Sequence, residues 1–269
     1  MEKFVVLNKV VGETPLQTVE KYRSLNSELD GVSMAYAGRL DPMASGKLLV
    51  LLGDECKEQE KYHKLDKGYR FRVLFGTGSD TGDILGLLNW KPAPSIDDQT
   101  LKTIAKSLTG NISLQYPIFS SKTVGGKPLH LWALENKLHE IEIPIAHTKV
   151  HKLSLIDLES QPAEAIYREA RERIESIEPV TEKSKALGAD FRRSDVRMSW
   201  DTWLEYHKKQ ELQIATFDCV SSSGTYMRAL AAEIGRQLGT PALAYSIERT
   251  HIGRFQPVPI IDGFWIKQY

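Results

Sequence analysis

The chain has 269 residues, of which 41% are hydrophobic and 26% are charged, an ordinary composition for a protein with a buried core. Lysine plus arginine and aspartate plus glutamate both number 35, so overall charge singles out no polyanionic partner, and any nucleic-acid surface would have to be a local patch. Two cysteines outside any metal-ligand spacing, no signal-peptide pattern and no apolar run of about 18 residues favour a cytoplasmic location without a membrane span.

The first elements alternate between strands and helices. Phe4 to Leu7 predicts a short strand, and Thr14-Pro15 predicts the start of an N-capped helix. Asp54 to Leu65 is predicted as a helix, and Tyr69 to Phe75 as a strand whose basic residues share the face opposite its apolar ones. Ser95 to Leu108 predicts a helix capped by its serine.

Two later segments predict insertions within a single domain that spans residues 1–269. Residues 117–146 combine an extended apolar piece, a Gly-Gly turn between lysines and an amphipathic helix, which predicts a basic finger. Residues 162–203 are dense in charge and helical in pattern, and strand patterns flank them at Lys149–Leu158 and Leu212–Val220. Because no repeat or low-complexity linker divides the chain, we expect one domain rather than two.

The most informative segment is the loop Gly38–Gly46, which sets Asp41 immediately before an apolar strand, Leu48–Leu52. Gly38 allows backbone angles that other residues avoid, and Pro42 fixes φ and has no N–H. Such a loop can hold a carboxylate at a cleft, where it could act as a nucleophile. Aspartate before proline is also common turn chemistry, so this segment alone leaves a turn-capping role equally open.

A second cluster lies at Ser221–Gly235, where a predicted strand ends in a glycine turn and a helix begins with Arg228 in its first turn. A guanidinium has a fixed charge and a planar fork that matches a carboxylate, so Arg228 could orient Asp41 and keep it ionised. A surface arginine or a structural ion pair is the alternative. Basic runs at Lys57–Arg72 and Arg192–Arg197 are either local nucleic-acid patches or solvated faces.

Three motifs occur in order along the chain. They are Gly-x-Leu-Asp-Pro-x-Ala-Ser-Gly at residues 38–46, Lys-x-Tyr at 67–69 followed by Asp-Thr-x-Asp-x-x-Gly at 80–86, and Gly-Thr-Tyr-x-Arg-x-Leu-Ala-x-Glu-Ile-Gly at 224–235. The finger adds Pro-Ile-Phe-Ser-Ser-Lys and Gly-Lys-Pro-Leu, and residues 247–255 add a closing Ile-Glu-Arg-Thr piece. This set covers most of residues 3–158 and 211–262, and it resembles the TruB-type pseudouridine synthases of the bacterial tRNA uridine-55 class.

The resemblance implies an isomerase that detaches uracil from ribose and reattaches it through C5, without a cofactor or a metal. It implies that Asp41 is the nucleophile, that Tyr69 stacks on the target base and helps with the proton at C5, and that Arg228 pairs with Asp41. From its strand pattern alone, Tyr69 could equally be a core aromatic residue. The target base must be flipped out of a stacked RNA loop before it can react.

Further residues are predicted to contact the substrate, chiefly through phosphates or by wedging between bases. These are Tyr36, Arg39, Arg70, Lys122, Lys127, His130 and Ile247. Arg72 is a further phosphate candidate. Tyr36 stands where the family usually has a histidine thought to help displace the base, and Arg39 gives a Gly-Arg-Leu-Asp sequence that resembles the ribosomal-RNA branch of the superfamily.

The resemblance implies an α+β fold with a central, mainly antiparallel mixed sheet, flanking helices and a cleft across its middle. Because the sequence stops soon after Phe264, we expect it to lack the C-terminal PUA module that many relatives carry. The expected partner is RNA, with tRNA as the first choice, and the protein is expected to be a monomer without a membrane or nucleotide partner. An RNA-binding or RNA-folding protein on the same fold, and a synthase for a different RNA site, stay open. The joint presence of Asp41, Tyr69 and Arg228 favours an enzyme, because a binding protein needs no such set.

Overall fold

The computed structural model of the protein describes residues 2–179, 192–258 and 261–269. The strands are β1 (Phe4–Lys9), β2 (Met34–Tyr36), β3 (Ala44–Leu52), β4 (Asp66–Phe75), β5 (Thr77–Ser79), β6 (Leu88–Trp90), β7 (Gly110–Gln115), β8 (Thr123–Val124), β9 (Lys127–Pro128), β10 (Ile145–Pro162), β11 (Glu211–Ser221), β12 (Ala242–Val258) and β13 (Ile261–Gln268). The α-helices are α1 (Pro15–Ser24), α2 (Gln59–His63), α3 (Asp98–Ser107), α4 (Leu129–Leu134), α5 (Ala163–Glu175), α6 (Arg193–His207) and α7 (Met227–Gln237). Short 3₁₀ helices lie at Ser27–Leu29, Gly53–Glu58 and Leu138–Glu140.

Nine of the described strands form one sheet in the order β1-β3-β12-β4-β11-β10-β7, with β2 beside β3 and β13 beside β12. Its pairs are antiparallel except for β3 and β12, which run parallel from the pair Ile247 and Ala44 to the pair Arg249 and Gly46. The predicted mainly antiparallel mixed sheet is therefore confirmed. The parallel contact brings β12 beside the loop that carries Asp41, which the linear sequence does not reveal.

The core packs α3, α5, α6 and α7 against the middle strands of this sheet. Phe71 of β4 and Phe217 of β11 are fully buried and stack with their ring centroids 5.6 Å apart. Trp200 and Trp203 of α6 are also fully buried. Burying an aromatic side chain of this size stabilises the fold by roughly 2 kcal/mol. The core thus fixes strand β4, on which Tyr69 stands two residues before Phe71.

Capping chemistry explains where two helices begin. Thr14 caps α1, because its hydroxyl accepts from the Gln17 N–H while the Gln17 side chain accepts from the Thr14 N–H. The cap of α3 is Asp97, whose carboxylate accepts from the Thr100 N–H at 2.7 Å. The prediction that Ser95 caps this helix was wrong, since the aspartate nearer the first turn reaches the free N–H groups.

Strand β3 begins at Ala44, so Ser45 and Gly46 lie inside it rather than ending the loop. Gly46 has a φ of +105°, and a Cβ there would come within 2.3 Å of the Arg249 backbone oxygen. Glycine therefore permits both the backbone turn and the close approach of β12.

The predicted helix from Asp54 to Leu65 is a 3₁₀ turn followed by the short helix α2.

The two predicted insertions contain different elements. The finger contains the β8–β9 hairpin and α4. The predicted insertion at residues 162–203 contains α5 and part of α6, and its residues 180–191 lie outside the described residues. Ile166 and Trp200, one from each helix, are fully buried in the main core. The described helices of this insertion are therefore part of the packed body.

Candidate active site

A cleft of about 720 Å³ opens where the Asp41 loop, strand β4, the start of the finger and the start of α7 meet. Six of the residues predicted from the sequence line it, namely Tyr36, Arg39, Asp41, Tyr69, Arg228 and Ile247. The Tyr36 side chain is half-buried, that of Arg39 is exposed and that of Ile247 is buried. The fold thus gathers residues that stand as far apart as 36 and 247 in the sequence.

Asp41 and Arg228 form an ion pair on the wall of the cleft, with Arg228 Nε 2.8 Å from Asp41 Oδ2. The Arg228 side chain is only 4% exposed, whereas the Asp41 side chain is 38% exposed. The carboxylate therefore faces the open space while its counter-ion is enclosed by protein. The structure thus brings Asp41 and Arg228 together, and it places Asp41 on the cleft rather than on the outer surface.

Arg228 is also held by groups other than Asp41. One terminal nitrogen donates to the Thr81 carbonyl at 2.7 Å, and both terminal nitrogens donate to the Phe119 carbonyl at 3.2 to 3.3 Å. The Asp83 carboxylate lies 3.7 Å from Nε. Although burial opposes the charge, Asp41 and Asp83 hold the pKa of Arg228 above its usual value. The guanidinium is thus charged and held at four points.

Two buried cations hold the backbone of the Asp41 loop. Arg249, which is 1% exposed, donates from Nε to the Lys47 carbonyl at 2.7 Å and from its terminal nitrogens to the Gly38 and Arg39 carbonyls at 3.3 Å. Lys9 Nζ donates to the Ala44 carbonyl at 2.5 Å. Buried carbonyls that accept charge-assisted hydrogen bonds are held firmly in place.

Sequence reasoning missed Lys9 and Arg249 as supports of the loop, and it missed Asp83 as a second carboxylate near Arg228. Arg249 lies within the closing motif and Asp83 within the Asp-Thr-x-Asp-x-x-Gly motif, so the motifs contained a signal for both. Lys9 ends β1 opposite Gly46 in the strand register, and no local pattern predicts that position. Burial lowers the pKa of Lys9 to about 8.

Tyr69 and Lys67 reach the cleft from strand β4. Burial raises the pKa of Tyr69, although Arg249 opposes that shift, so the phenol stays protonated at neutral pH. Lys67 Nζ donates to the His63 and Leu65 carbonyls at 2.8 and 2.6 Å. Burial, with a smaller contribution from Arg249, lowers the pKa of Lys67 to about 8. Lys67 is therefore a second buried lysine whose partners are carbonyl groups.

Arg70 and Arg72 do not line the cleft, and their role as phosphate contacts stays a prediction. Arg70 donates from two nitrogens to both carboxylate oxygens of Asp218 at 2.8 Å. Arg72 pairs with Glu159 and Glu169 at 3.0 and 3.1 Å. Side chains alternate between the two faces of a strand, so these arginines lie on the opposite face from Tyr69 and meet carboxylates there.

The predicted contacts Lys122, Lys127 and His130 do not line the cleft, but the finger reaches it through Ser120 and Ser121. Lys122 is exposed and lies 5.1 Å from the centre of the Tyr116 ring. Lys127 lies 4.3 Å above Trp132 and pairs with Glu135 at 2.5 Å. The His130 Nδ1 atom lies 3.0 Å from the Ser120 carbonyl oxygen.

Among the described residues, His, Cys, Asp and Glu side chains do not form a group of three or more that could hold a metal ion. Within the same part of the chain, none of the helices has both the length and the apolar character needed to cross a bilayer.

The chain is similar in sequence to known proteins. A family model described as the N-terminal domain of TruB family pseudouridylate synthases matches residues 27–173. A protein of Bordetella avium named tRNA pseudouridine synthase B is 24% identical over 258 residues, which are 95% of this chain and 82% of the relative. Its namesake in Caldicellulosiruptor saccharolyticus is 26% identical over 255 residues, which are 95% of this chain and 69% of the relative.

The fold is also found among solved structures. A chain of a Cbf5-Nop10-Gar1 complex has a TM-score of 0.55 and 16% identity, and the match covers 93% of this chain and 49% of that chain. This protein thus spans about half the length of that structural neighbour, and at such low identity the likeness concerns the fold alone. Since the family model matches more than half of the residues, this chain belongs to the TruB family of pseudouridylate synthases.

Proposed function

We propose that the protein converts a uridine of tRNA, uridine 55 in the TΨC loop, to pseudouridine, with Asp41 as the nucleophile. The observation that carries the proposal is the ion pair between Asp41 and Arg228 at 2.8 Å on the wall of the cleft. The name tRNA pseudouridine synthase B, borne by the relatives from both bacteria, supports tRNA as the substrate. The cleft volume of about 720 Å³ lies within the range of roughly 300–1,000 Å³ typical of pockets for small molecules.

The reaction breaks the bond between N1 of uracil and C1′ of ribose, and it forms a bond between C5 and C1′. The proton on C5 is lost and N1 gains a proton, so the atoms balance and the step is an isomerisation. Asp41 would supply the carboxylate that forms a covalent intermediate while the base turns. Arg228 would keep that carboxylate ionised and oriented, since the guanidinium is itself held by Thr81, Phe119 and Asp83.

Tyr69 would stack on the everted base and help with the C5 proton. Its pKa is raised by burial, so the phenol is neutral and can offer an O–H group as well as its ring face. Tyr36 would wedge into the stack that the base leaves, and Arg39 and Ile247 would contact the flipped nucleotide. The finger would bind the phosphate backbone through Lys122, Lys127 and His130. We also propose that the protein acts as a monomer in the cytoplasm.

The test uses an unmodified tRNA transcript labelled with tritium at C5 of uridine, because formation of the new bond releases this hydrogen. The wild-type protein is expected to release tritium and to place pseudouridine at position 55, as located by mass spectrometry. Asp41→Asn is expected to lose at least about 10³-fold in rate. Asp218→Asn is the matched control, since Asp218 is also paired with an arginine but lies away from the cleft.

Each outcome selects one hypothesis. Activity of Asp41→Asn near that of the wild type would show that another group is the nucleophile. Modification of a different uridine or a different RNA would support the synthase with another target. Tight RNA binding by the wild type without any tritium release would support the RNA-binding alternative.

A further inference from the structure

Arg192 stands at the start of α6, immediately before the helix, and makes two specific contacts. Its terminal nitrogens donate to the two carboxylate oxygens of Asp80 at 2.7 and 3.2 Å. Its guanidinium carbon lies 4.4 Å from the centre of the Phe119 ring, in a cation–π arrangement. The residue has a φ of +57°, a left-handed conformation that is costly for arginine and needs support from tertiary contacts.

The two residues that Arg192 contacts adjoin the groups that hold Arg228. Asp80 directly precedes Thr81, whose carbonyl accepts from Arg228 at 2.7 Å. The Phe119 carbonyl accepts from both terminal nitrogens of Arg228. The Arg192 guanidinium thus bridges the β5–β6 turn and the start of the finger. These two segments supply the Thr81 and Phe119 carbonyl oxygens that hold the Arg228 guanidinium.

Asp80 is fixed within its own turn as well. Its Oδ1 atom accepts from the Leu87 N–H at 2.8 Å, and a Cβ on Gly86 would come within 2.5 Å of the same oxygen. The turn therefore presents the carboxylate in one place, and Arg192 reaches it from a segment 112 residues away. Nothing in the reaction itself uses Arg192, which does not line the cleft.

We propose that Arg192 is a positioning residue for the isomerase reaction: by clamping Asp80 and Phe119 it fixes the two carbonyls that orient Arg228 against Asp41. The inference rests on the proposed function, because its readout is uridine isomerisation. Reacting groups must be held within a fraction of an ångström, and a displacement of about 1 Å can cost roughly 10²-fold in rate. Loss of the clamp is therefore expected to reduce turnover more than RNA binding.

The experiment compares single-turnover and steady-state tritium release by Arg192→Ala, Arg192→Lys and wild type. Arg192→Ala is expected to lower kcat roughly tenfold with KM within about threefold of wild type. Arg192→Lys is expected to recover part of kcat, because lysine keeps the charge but cannot make the bidentate contact. The matched control is Arg171→Ala, which removes an arginine that also pairs with a carboxylate, Asp201, and lies 5.7 Å from a ring, Tyr167.

A second variant keeps the test decisive if Arg192→Ala does not fold. Phe119→Leu removes the ring beneath the guanidinium while the carbonyl toward Arg228 remains, and it is expected to lower kcat in the same direction. Equal kcat values for wild type, Arg192→Ala and Arg171→Ala would overturn the inference, as would equal losses in Arg192→Ala and Arg171→Ala. If Arg192→Ala is unfolded, an unchanged kcat in Phe119→Leu would overturn it. Absence of tritium release from the wild type would instead overturn the proposed function.

Discussion

The cationic side chains beside the cleft and those of the finger are held by different kinds of contact. Beside the cleft, Arg228, Arg249, Lys9 and Lys67 are all at least nine-tenths buried. Each donates hydrogen bonds to backbone carbonyls, and only Arg228 also pairs with carboxylates at the site. Their positions are consequently tied to the backbone itself, and two of them, Lys9 and Arg249, hold the Asp41 loop.

The finger cations depend on side chains instead. Lys122 is exposed above a tyrosine ring, and Lys127 lies between Trp132 and Glu135. Such contacts are worth little at a surface, so these side chains can exchange them for phosphates. The side chains beside the cleft, where the covalent bond would form, are therefore held in one position. The finger side chains can change position, as contact with an irregular RNA surface would require.

Replacing the buried guanidinium is the strongest challenge to this comparison. Arg228→Lys keeps one positive charge but cannot reach Asp41, Thr81 and Phe119 together, so kcat is expected to fall roughly 10²-fold or more. Single-turnover tritium release measures the loss, and circular dichroism checks that the variant folds. A rate within threefold of wild type would show that the fixed geometry around Asp41 is not required.

Removing the finger cations is expected to have a different effect. The double variant Lys122→Ala with Lys127→Ala should raise KM roughly tenfold and make binding less dependent on salt, because two phosphate contacts are lost. Its kcat should stay within about twofold of wild type. Steady-state kinetics at several salt concentrations measure both, with Lys102→Ala as the control because Lys102 has a similar exposed ion pair on α3. A fall in kcat at unchanged KM would contradict the assignment.

Burial of Lys67 predicts a pH dependence of stability. Its pKa falls from 10.5 to about 8 on folding, so between these values the unfolded chain binds more protons than the folded protein. The free energy of unfolding therefore rises with pH, by roughly 1 kcal/mol from pH 7 to pH 9 for one such lysine. Urea denaturation should show this rise in the wild type and a smaller rise in Lys67→Met. If the free energy of unfolding rose equally with pH in both proteins, Lys67 would have to be well hydrated.

The smallest effect is expected for Arg70, which lies on the other face of β4 and is half exposed. Arg70→Ala should change KM by less than about twofold and stability by less than about 1 kcal/mol, since exposed ion pairs contribute little. The same kinetic and denaturation measurements apply. A KM as high as that of the finger double variant would instead support Arg70 as a phosphate contact.

Local patterns in the sequence predicted much of the fold. The apolar alternation from Tyr69 to Phe75 predicted strand β4 and its faces, and Thr14-Pro15 predicted the start of α1. Both depend on neighbours within a few residues, which is why they could be seen without a structure. The cap of α3 was wrongly predicted because Ser95 and Asp97 are both good capping residues, and only the backbone path chooses between them.

The sequence by itself indicated the family and the central residues of the candidate site. Asp41 in its Gly-Pro loop, Arg228 at a helix start and Tyr69 on a strand were sufficient, together with the order of their motifs, to indicate an isomerase of this family. What remained undetermined was which cations would reach the cleft. Arg70 and Arg228 are both arginines within predicted elements, and their local sequences do not show which of them reaches the cleft.

Only the tertiary structure decided that question. The parallel contact of β12 with β3 brings Arg249 to the Asp41 loop, and the register of β1 brings Lys9 to the same loop. Arg70 lies on the opposite face of β4, where it pairs with Asp218. Such partners lie up to 211 residues apart in the chain. A buried charge is tolerated only where other groups pair or hydrogen-bond with it. In this protein those groups come from distant parts of the sequence, so sheet order and strand register determine which of them reach the charge.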